Sequence, residues 1–177
     1  MTHAVPAPAL PVRPRPDVPA WPRRTAAAVL WVNLPSSLWR IAVVLGVPLG
    51  LRQSEYDAML IPGWGLLLLP LLSLAQEGLA WLTYGLIRPW GEVWPRWIPY
   101  LGGRPVPVLA AVVPAALGAL ACTVYGVLLV WTTLHAHMDV TPWGQWILNA
   151  CYLPLVAWGP LLGAVTVHYH RRRRTRI

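Results

Sequence analysis

The sequence predicts an all-α polytopic membrane protein, with four transmembrane helices in a compact bundle and both termini in the cytoplasm. Two features of its composition indicate lipid as the solvent. Of 177 residues, 56% are hydrophobic and only 11% are charged, whereas an average soluble domain carries about a quarter charged residues. The third observation is that the apolar residues fall into four long stretches. Each stretch reaches the length of about 20 residues that a helix needs to cross a bilayer core.

The predicted spans cover about 26–51, 62–87, 106–134 and 143–169. Together they form one transmembrane domain, 25–170, between a flexible Pro- and Arg-rich cytoplasmic tail, 1–24, and a basic cytoplasmic tail, 171–177. The apolar stretch after the first tail is too long for the core of a signal peptide, so we interpret it as an uncleaved first helix.

The basic residues, all of them arginine, predict the orientation. Arginines cluster before the first span, between the second and third spans, and after the fourth. The remaining loops hold a single arginine, Arg52, close to Glu55 and Asp57, and later only Asp139. Because cytoplasmic loops are enriched in basic residues, this pattern places both termini on the cytoplasmic side of a multi-pass cell-membrane protein.

Two spans carry polar side chains on one helical face. In the first span these are Asn33, Ser36, Ser37 and Arg40, and in the second they are Ser73, Gln76, Glu77 and Tyr84. At about 1.5 Å per residue, Arg40 and Glu77 differ in depth by about one helical turn, which an arginine side chain can bridge. The spacing therefore predicts a contact between Arg40 and Glu77. Asn149 and Tyr152 of the fourth span are predicted to extend this polar network.

This intramembrane polar site has two interpretations. Ionisable residues inside a span face a bundle interior or a cavity and often belong to a substrate or proton pathway. Paired polar side chains also hold two helices in register without any further role. The sequence leaves both open.

A second group of residues predicts lipid contacts at the cytoplasmic interface. Tryptophan is favoured at the headgroup level, and arginine is attracted to anionic headgroups. The group consists of Arg88, Trp90, Trp94, Arg96, Trp97, Arg104, Arg171 and Arg172. A site for a lipid or isoprenoid headgroup is the alternative, and Glu92, which has no evident partner in the sequence, is the acidic residue available to it.

No cofactor, metal or nucleic acid is expected. His135, His137 and Asp139 lie close in sequence, but residues two apart on a helix do not face each other, and zinc needs three or four ligands. The basic tail has no aromatic-interleaved face for nucleic acid. Cys122 and Cys151 are interpreted as small packing residues rather than as a disulfide.

The segment "LIRPWGEVWPRWIPYLGGRPVP", together with "YLPLVAWGPLLGAVTVHYHRRRR", resembles a family of small uncharacterised four-span integral membrane proteins of high-GC Gram-positive (actinobacterial) bacteria. The similarity covers 62–175 and, more loosely, "LPSSLWRIAVVLGVPLGL" in the first span. It implies the four-span architecture and a plasma-membrane location. It implies no activity and assigns no catalytic residue.

Three functions are compatible with these observations. The first is a non-enzymatic accessory or partner-binding membrane bundle, whose partner is a second copy or another membrane protein. The second is a small transporter or channel-like protein that uses Arg40 and Glu77. The third is a lipid-modifying membrane enzyme. We favour the first, because the sequence contains no nucleophile–base constellation.

Overall fold

The computed structural model describes 19–88, 91–93, 99–100, 102–135 and 138–174. Within these residues the chain is all-helical, and four of its helical segments are long and apolar enough to cross a membrane. The helices are α1 (Ala20–Val44), α2 (Gln53–Ala58), α3 (Gly65–Leu82), α4 (Val108–His135), α5 (Pro142–Tyr152) and α6 (Trp158–Arg174).

The first span is displaced from its predicted bounds. Helix α1 begins at Ala20, inside the segment predicted as a tail, because Pro22 lies in its first turn, where a missing backbone donor does no harm. The helix ends at Val44 rather than at 51. Gly46, with φ of +76°, ends the helix there, and Pro48 follows.

The other spans lie closer to prediction, with two irregularities. The second span closes with a 3₁₀ turn, Thr83–Leu86, after α3. The fourth is interrupted by the 3₁₀ segment Leu153–Ala157, which contains Pro154 and separates α5 from α6. Helix α6 then continues to Arg174, so most of the predicted basic tail is helical.

Helix α6 is central to the packing: it lies against α1 and against α4, while α1 also packs along α3. Small residues allow the α4–α6 approach. A Cβ atom at Gly159 would overlap Thr123 and lie 2.8 Å from the carbonyl oxygen of Ala119. At Gly126 it would lie 3.1 Å from the backbone of Val156.

Two small apolar clusters connect the helices. One, at the end where α1 begins and α6 finishes, contains Ala26, Leu86, Ile87, Val165 and Tyr169. We call this the arginine end, since it also carries the arginines of the loop between α3 and α4 and of the last turn of α6. The other cluster lies deeper and is built from Val29, Ala80, Leu155 and Trp158.

Outward-facing surfaces are apolar. Of the 28 residues of α4, all of them described, only Ala119 and Gly126 are buried. Leucine, valine and tryptophan side chains cover much of the rest. A helix with exposed apolar residues on most sides is stable only in lipid or against further protein, in keeping with membrane insertion.

The opposite end, which we call the loop end, is tied together by Asp139. Its carboxylate pairs with Arg52 at 2.9 Å and accepts a hydrogen bond from Ser54 at 2.9 Å. Its backbone N–H donates to Glu55, and a short antiparallel bridge joins the adjoining backbone. The loop before α5 is thereby fastened to α2.

Candidate functional site

The four polar residues predicted on the first span are buried. Asn33 and Ser36 are fully inaccessible, Ser37 is 6% exposed and Arg40 is 4% exposed. Their spacing along α1 puts them on the face that packs against α3. Helix α3 presents Ser73, Gln76 and Glu77 to this face, so seven predicted residues come together between the two helices.

Gln76 is the centre of the network. Its amide oxygen accepts a 2.6 Å hydrogen bond from the Arg40 guanidinium. Its amide nitrogen donates to the side-chain oxygens of Asn33 at 2.9 Å and Ser36 at 3.0 Å. The Asn33 amide donates in turn to the carbonyl of Val29. Buried polar groups are normally satisfied in this way, and here a single glutamine satisfies groups on two turns of α1.

The predicted contact between Arg40 and Glu77 is wrong. Arg40 donates through Nε to Ser73 at 2.9 Å and through a terminal nitrogen to Gln76 at 2.6 Å. Among the described residues, no ion pair within 4.0 Å joins Arg40 to Glu77. The buried guanidinium is held by neutral oxygens instead.

The reason lies in the helix bounds. Arg40 is four residues from Val44, where α1 ends, which is about 6 Å. Glu77 is twelve residues from Gly65, where α3 begins, or about 18 Å. The two side chains therefore differ in depth by about two turns, not one. The antiparallel register brings Ser37 opposite Glu77 and leaves Arg40 nearer the loop end.

Glu77 occupies the margin of the α1–α3 interface. Its carboxylate accepts a 2.9 Å hydrogen bond from Ser37 and is half-buried. Its α3 neighbours on the outer side, Leu74, Gly78 and Trp81, are exposed. Within the described part of the chain, no arginine lies within ion-pair distance of the Glu77 carboxylate.

Three predicted site residues lie elsewhere or at the edge of the network. Tyr84 packs against the apolar cluster at the arginine end. Asn149 accepts a 3.0 Å hydrogen bond from Gln145 and lines a cavity at the loop end. Tyr152 lines the same cavity and meets Trp39 edge to face, with ring centroids 5.4 Å apart.

The predicted interfacial residues divide into three groups. Trp90, Trp94, Arg96 and Trp97 lie outside the described residues. Arg88, Arg104 and Arg171 are exposed at the arginine end, where headgroups would lie.

Arg172 is engaged within the protein. It pairs with Glu92 at 2.7 Å, and Arg173 lies 3.7 Å from the other oxygen of the same carboxylate. The three side chains are only 12–18% exposed. Glu92 therefore has partners that the sequence did not reveal, and it fastens the loop after α3 to the end of α6.

The residues considered for metal binding have other partners. His135 stacks on Trp131 and shares a 2.8 Å hydrogen bond with its carbonyl, while Asp139 is occupied by Arg52. His137 lies outside the described residues. In the described ranges, no group of three His, Cys, Asp or Glu side chains could hold a metal ion. Cys122 and Cys151 are free thiols.

Comparison with protein-family models, with curated proteins and with solved structures gave no match. The resemblance to a family of actinobacterial membrane proteins therefore stays a prediction.

Proposed function

We propose that this chain is a non-enzymatic accessory protein of the plasma membrane, which binds a helix of another membrane protein at the outer face of α3. Its four spans form one bundle with both termini in the cytoplasm. The positive-inside rule supports this orientation, because the arginine end carries Arg23 and Arg24, exposed arginines of the α3–α4 loop and the last turn of α6.

The environment of Glu77 carries the proposal. The residue lies about 18 Å along a span of 22 residues, near the middle of the hydrocarbon core. A charged side chain there costs about 2.5–3.5 kcal/mol on insertion scales, and the hydrogen bond from Ser37 offsets part of it. A partner that brings a basic or hydrogen-bond-donating side chain to this depth would offset the remaining cost of the buried charge.

The surface beside Glu77 suits a helix. Gly78 is exposed, and a Cβ atom placed there would meet nothing within 4 Å. Small residues on a membrane helix let a second backbone approach closely. Leu74, 71% exposed, and Trp81, 55% exposed, flank the glycine and offer apolar contact area.

A second copy of this chain is a poor candidate for that partner. The chain contains no lysine, and its other arginines lie near span ends or in loops and tails. Arg40, the arginine within a span, is buried between α1 and α3. A different membrane protein, with a basic residue inside its own span, fits better.

Copurification from native membranes in a mild detergent tests the proposal. We expect a membrane protein to be recovered with the parent chain and lost with Glu77→Gln, which keeps the hydrogen bond from Ser37 and removes the charge. Asp57→Asn is the matched control, because Asp57 is an exposed acid on α2. Equal recovery with both variants would refute a role for Glu77.

The transporter hypothesis has one observation in its favour. Arg40 is a buried cation that no described carboxylate neutralises within 4.0 Å, an arrangement seen where anions or protons move. Proteoliposomes with an entrapped pH-sensitive dye distinguish the two functions. Proton flux that requires Glu77, in the absence of any partner, would favour transport over partner binding.

A further inference from the structure

Positive charge is concentrated at the arginine end far beyond what its carboxylates neutralise. The described arginines of this end are Arg23, Arg24, Arg88, Arg104, Arg171, Arg172, Arg173 and Arg174. Within the described ranges, Glu92 is the one acidic residue of the same end. Eight positive charges and one negative charge leave an excess of seven, which anions from outside the chain must balance.

Three side chains hold the loop between α3 and α4 against the end of α6, and we call them the Glu92 clasp: Glu92, Arg172 and Arg173. Arg172 donates to the Glu92 carboxylate at 2.7 Å and to the carbonyl oxygen of Leu86 at 3.3 Å. Arg173 donates to the carbonyl oxygen of Val106 at 2.8 Å and lies 3.7 Å from the other carboxylate oxygen. Both limbs of the loop are therefore fastened to two successive residues of α6.

The clasp brings two exposed arginines of the loop to the end of α6. Arg88 lies two residues after Leu86, and Arg104 lies two residues before Val106. The Cα atom of each arginine is therefore within about 7 Å of the Cα atom of a residue that the clasp contacts. The two limbs are also joined to each other, because the Val106 N–H donates to the carbonyl oxygen of Glu92 at 2.9 Å. Two arginines that are far apart in the sequence thus share one surface.

The guanidinium groups of Arg88 and Arg104 are available to a ligand. Both side chains are exposed, and among the described residues neither makes a side-chain hydrogen bond or an ion pair. A guanidinium binds a phosphate group through two parallel hydrogen bonds, and such charge-assisted bonds are stronger than neutral ones. Two neighbouring guanidinium groups therefore suit a ligand that carries two phosphates.

Both arginines lie at the level of the lipid headgroups. The span Gly65–Leu86 ends two residues before Arg88, and the span Val108–His135 begins four residues after Arg104. The first turn of the latter span also presents Leu109, 66% exposed, to hydrocarbon. A phosphate bound between the two arginines is therefore at the right depth for its acyl chains to lie along the spans.

We propose that Arg88 and Arg104 bind the headgroup of an anionic phospholipid that carries two phosphate groups, one phosphate at each guanidinium. Glu92 is a positioning residue: it holds the two limbs of the loop together and does not touch the lipid. A lipid with a single phosphate engages one of the two arginines at a time and binds more weakly. The site is separate from Glu77 and does not depend on the proposed function.

Native mass spectrometry of the full chain in a neutral detergent tests this site, because it resolves each bound lipid. Cardiolipin, which has two phosphates, is the probe, and phosphatidylglycerol, which has one, is the comparison. We expect one cardiolipin to bind at least about fivefold more tightly than phosphatidylglycerol, the effect of about one further basic residue. Soluble pyrophosphate, which has the phosphates without acyl chains, should compete weakly.

Four variants sharpen the test, each checked for helicity by circular dichroism. Arg88→Gln and Arg104→Gln should each weaken the binding of cardiolipin about fivefold. Arg52→Gln, which removes an exposed arginine at the loop end, should not. Glu92→Gln raises the net charge by one, so general attraction to anions would strengthen binding. Loss of the clasp should instead weaken it and lower the preference for cardiolipin, whereas Asp57→Asn, the same charge change at the loop end, should leave both unchanged.

Equal binding of cardiolipin and phosphatidylglycerol by the parent, or unchanged affinity in Arg88→Gln and Arg104→Gln, would overturn the proposal. So would equal or tighter binding by a folded Glu92→Gln, because the arginines would then act through net charge alone. Pyrophosphate that competes as well as cardiolipin itself would also overturn it, because the ligand would then be a soluble phosphate and not a lipid.

Discussion

Replacement of Gln76 by leucine should destabilise the protein more than any other single change in the α1–α3 network. Leucine has similar size and suits a membrane helix, so the effect reports the lost hydrogen bonds. Three interhelical bonds disappear, those with Arg40, Asn33 and Ser36. Interhelical polar contacts in membranes contribute about 0.6 kcal/mol each on average. One of these is charge-assisted, and hydrogen bonds to charged groups contribute about 1.5–3 kcal/mol.

The expected loss in the free energy of unfolding is therefore about 2–4 kcal/mol. Reversible unfolding in mixed micelles, followed by circular dichroism, measures it. Gln53→Leu is the control, because this exposed glutamine on α2 bonds only to Asp57 of its own helix, and its loss should change stability by no more than about 0.5 kcal/mol. If Gln76→Leu behaves like the control, the network does not hold the two helices together and our reading of it is refuted.

Three other changes test other parts of the fold. Gly159→Leu should lower the free energy of unfolding by about 1–3 kcal/mol, because it overpacks the α4–α6 contact. Gly78→Leu is the control and should not lower it, because a Cβ atom at Gly78 meets nothing within 4 Å. The same unfolding assay compares the two variants. Glu92→Gln should release the loop after α3 from α6, and faster trypsin cleavage in that loop, with unchanged overall helicity, would show it. Asp139→Asn should change the free energy of unfolding by less than about 1 kcal/mol, because the side chains of Asp139 and Arg52 are 54% and 64% exposed and solvent screens such ion pairs. A larger loss would mean that this ion pair is buried in the membrane-bound protein.

The helical class and the four long apolar helical segments could be predicted from the sequence, because long apolar stretches have few alternatives in lipid. The exact ends could not. Whether α1 finished at Val44 or ran on to Leu51 depended on Gly46 adopting a positive φ, which the apolar pattern does not register. Likewise, the break after Tyr152 required Pro154 to end one helical segment, whereas Pro35, Pro70 and Pro114 lie inside continuous helices.

The same limits apply to the polar site. Periodicity identified the α1 face and the α3 face correctly, because side chains three and four residues apart share a face. The pairing across them depended on helix ends that were misplaced, so Arg40 was matched with Glu77 instead of Ser73 and Gln76. The cavity at the loop end, which Asn149 and Tyr152 line, left no signal in the sequence, since several separate segments build its wall.

The ion pairs of Glu92 with Arg172 and Arg173 could not be predicted from the sequence either. Its partners lie about 80 residues away in the sequence, and only the packing of the loop after α3 against α6 brings them together.

Photocrosslinking from α3 in intact membranes tests the central claim most directly. A photoreactive residue at Leu74, one turn from Glu77 and 71% exposed, probes the proposed docking face. We predict one discrete adduct with a different membrane protein that disappears in Glu77→Gln, while the same probe at Leu128, 55% exposed on α4, forms no such adduct. Adducts with lipid alone, or a protein adduct that persists without the Glu77 charge, would contradict the account.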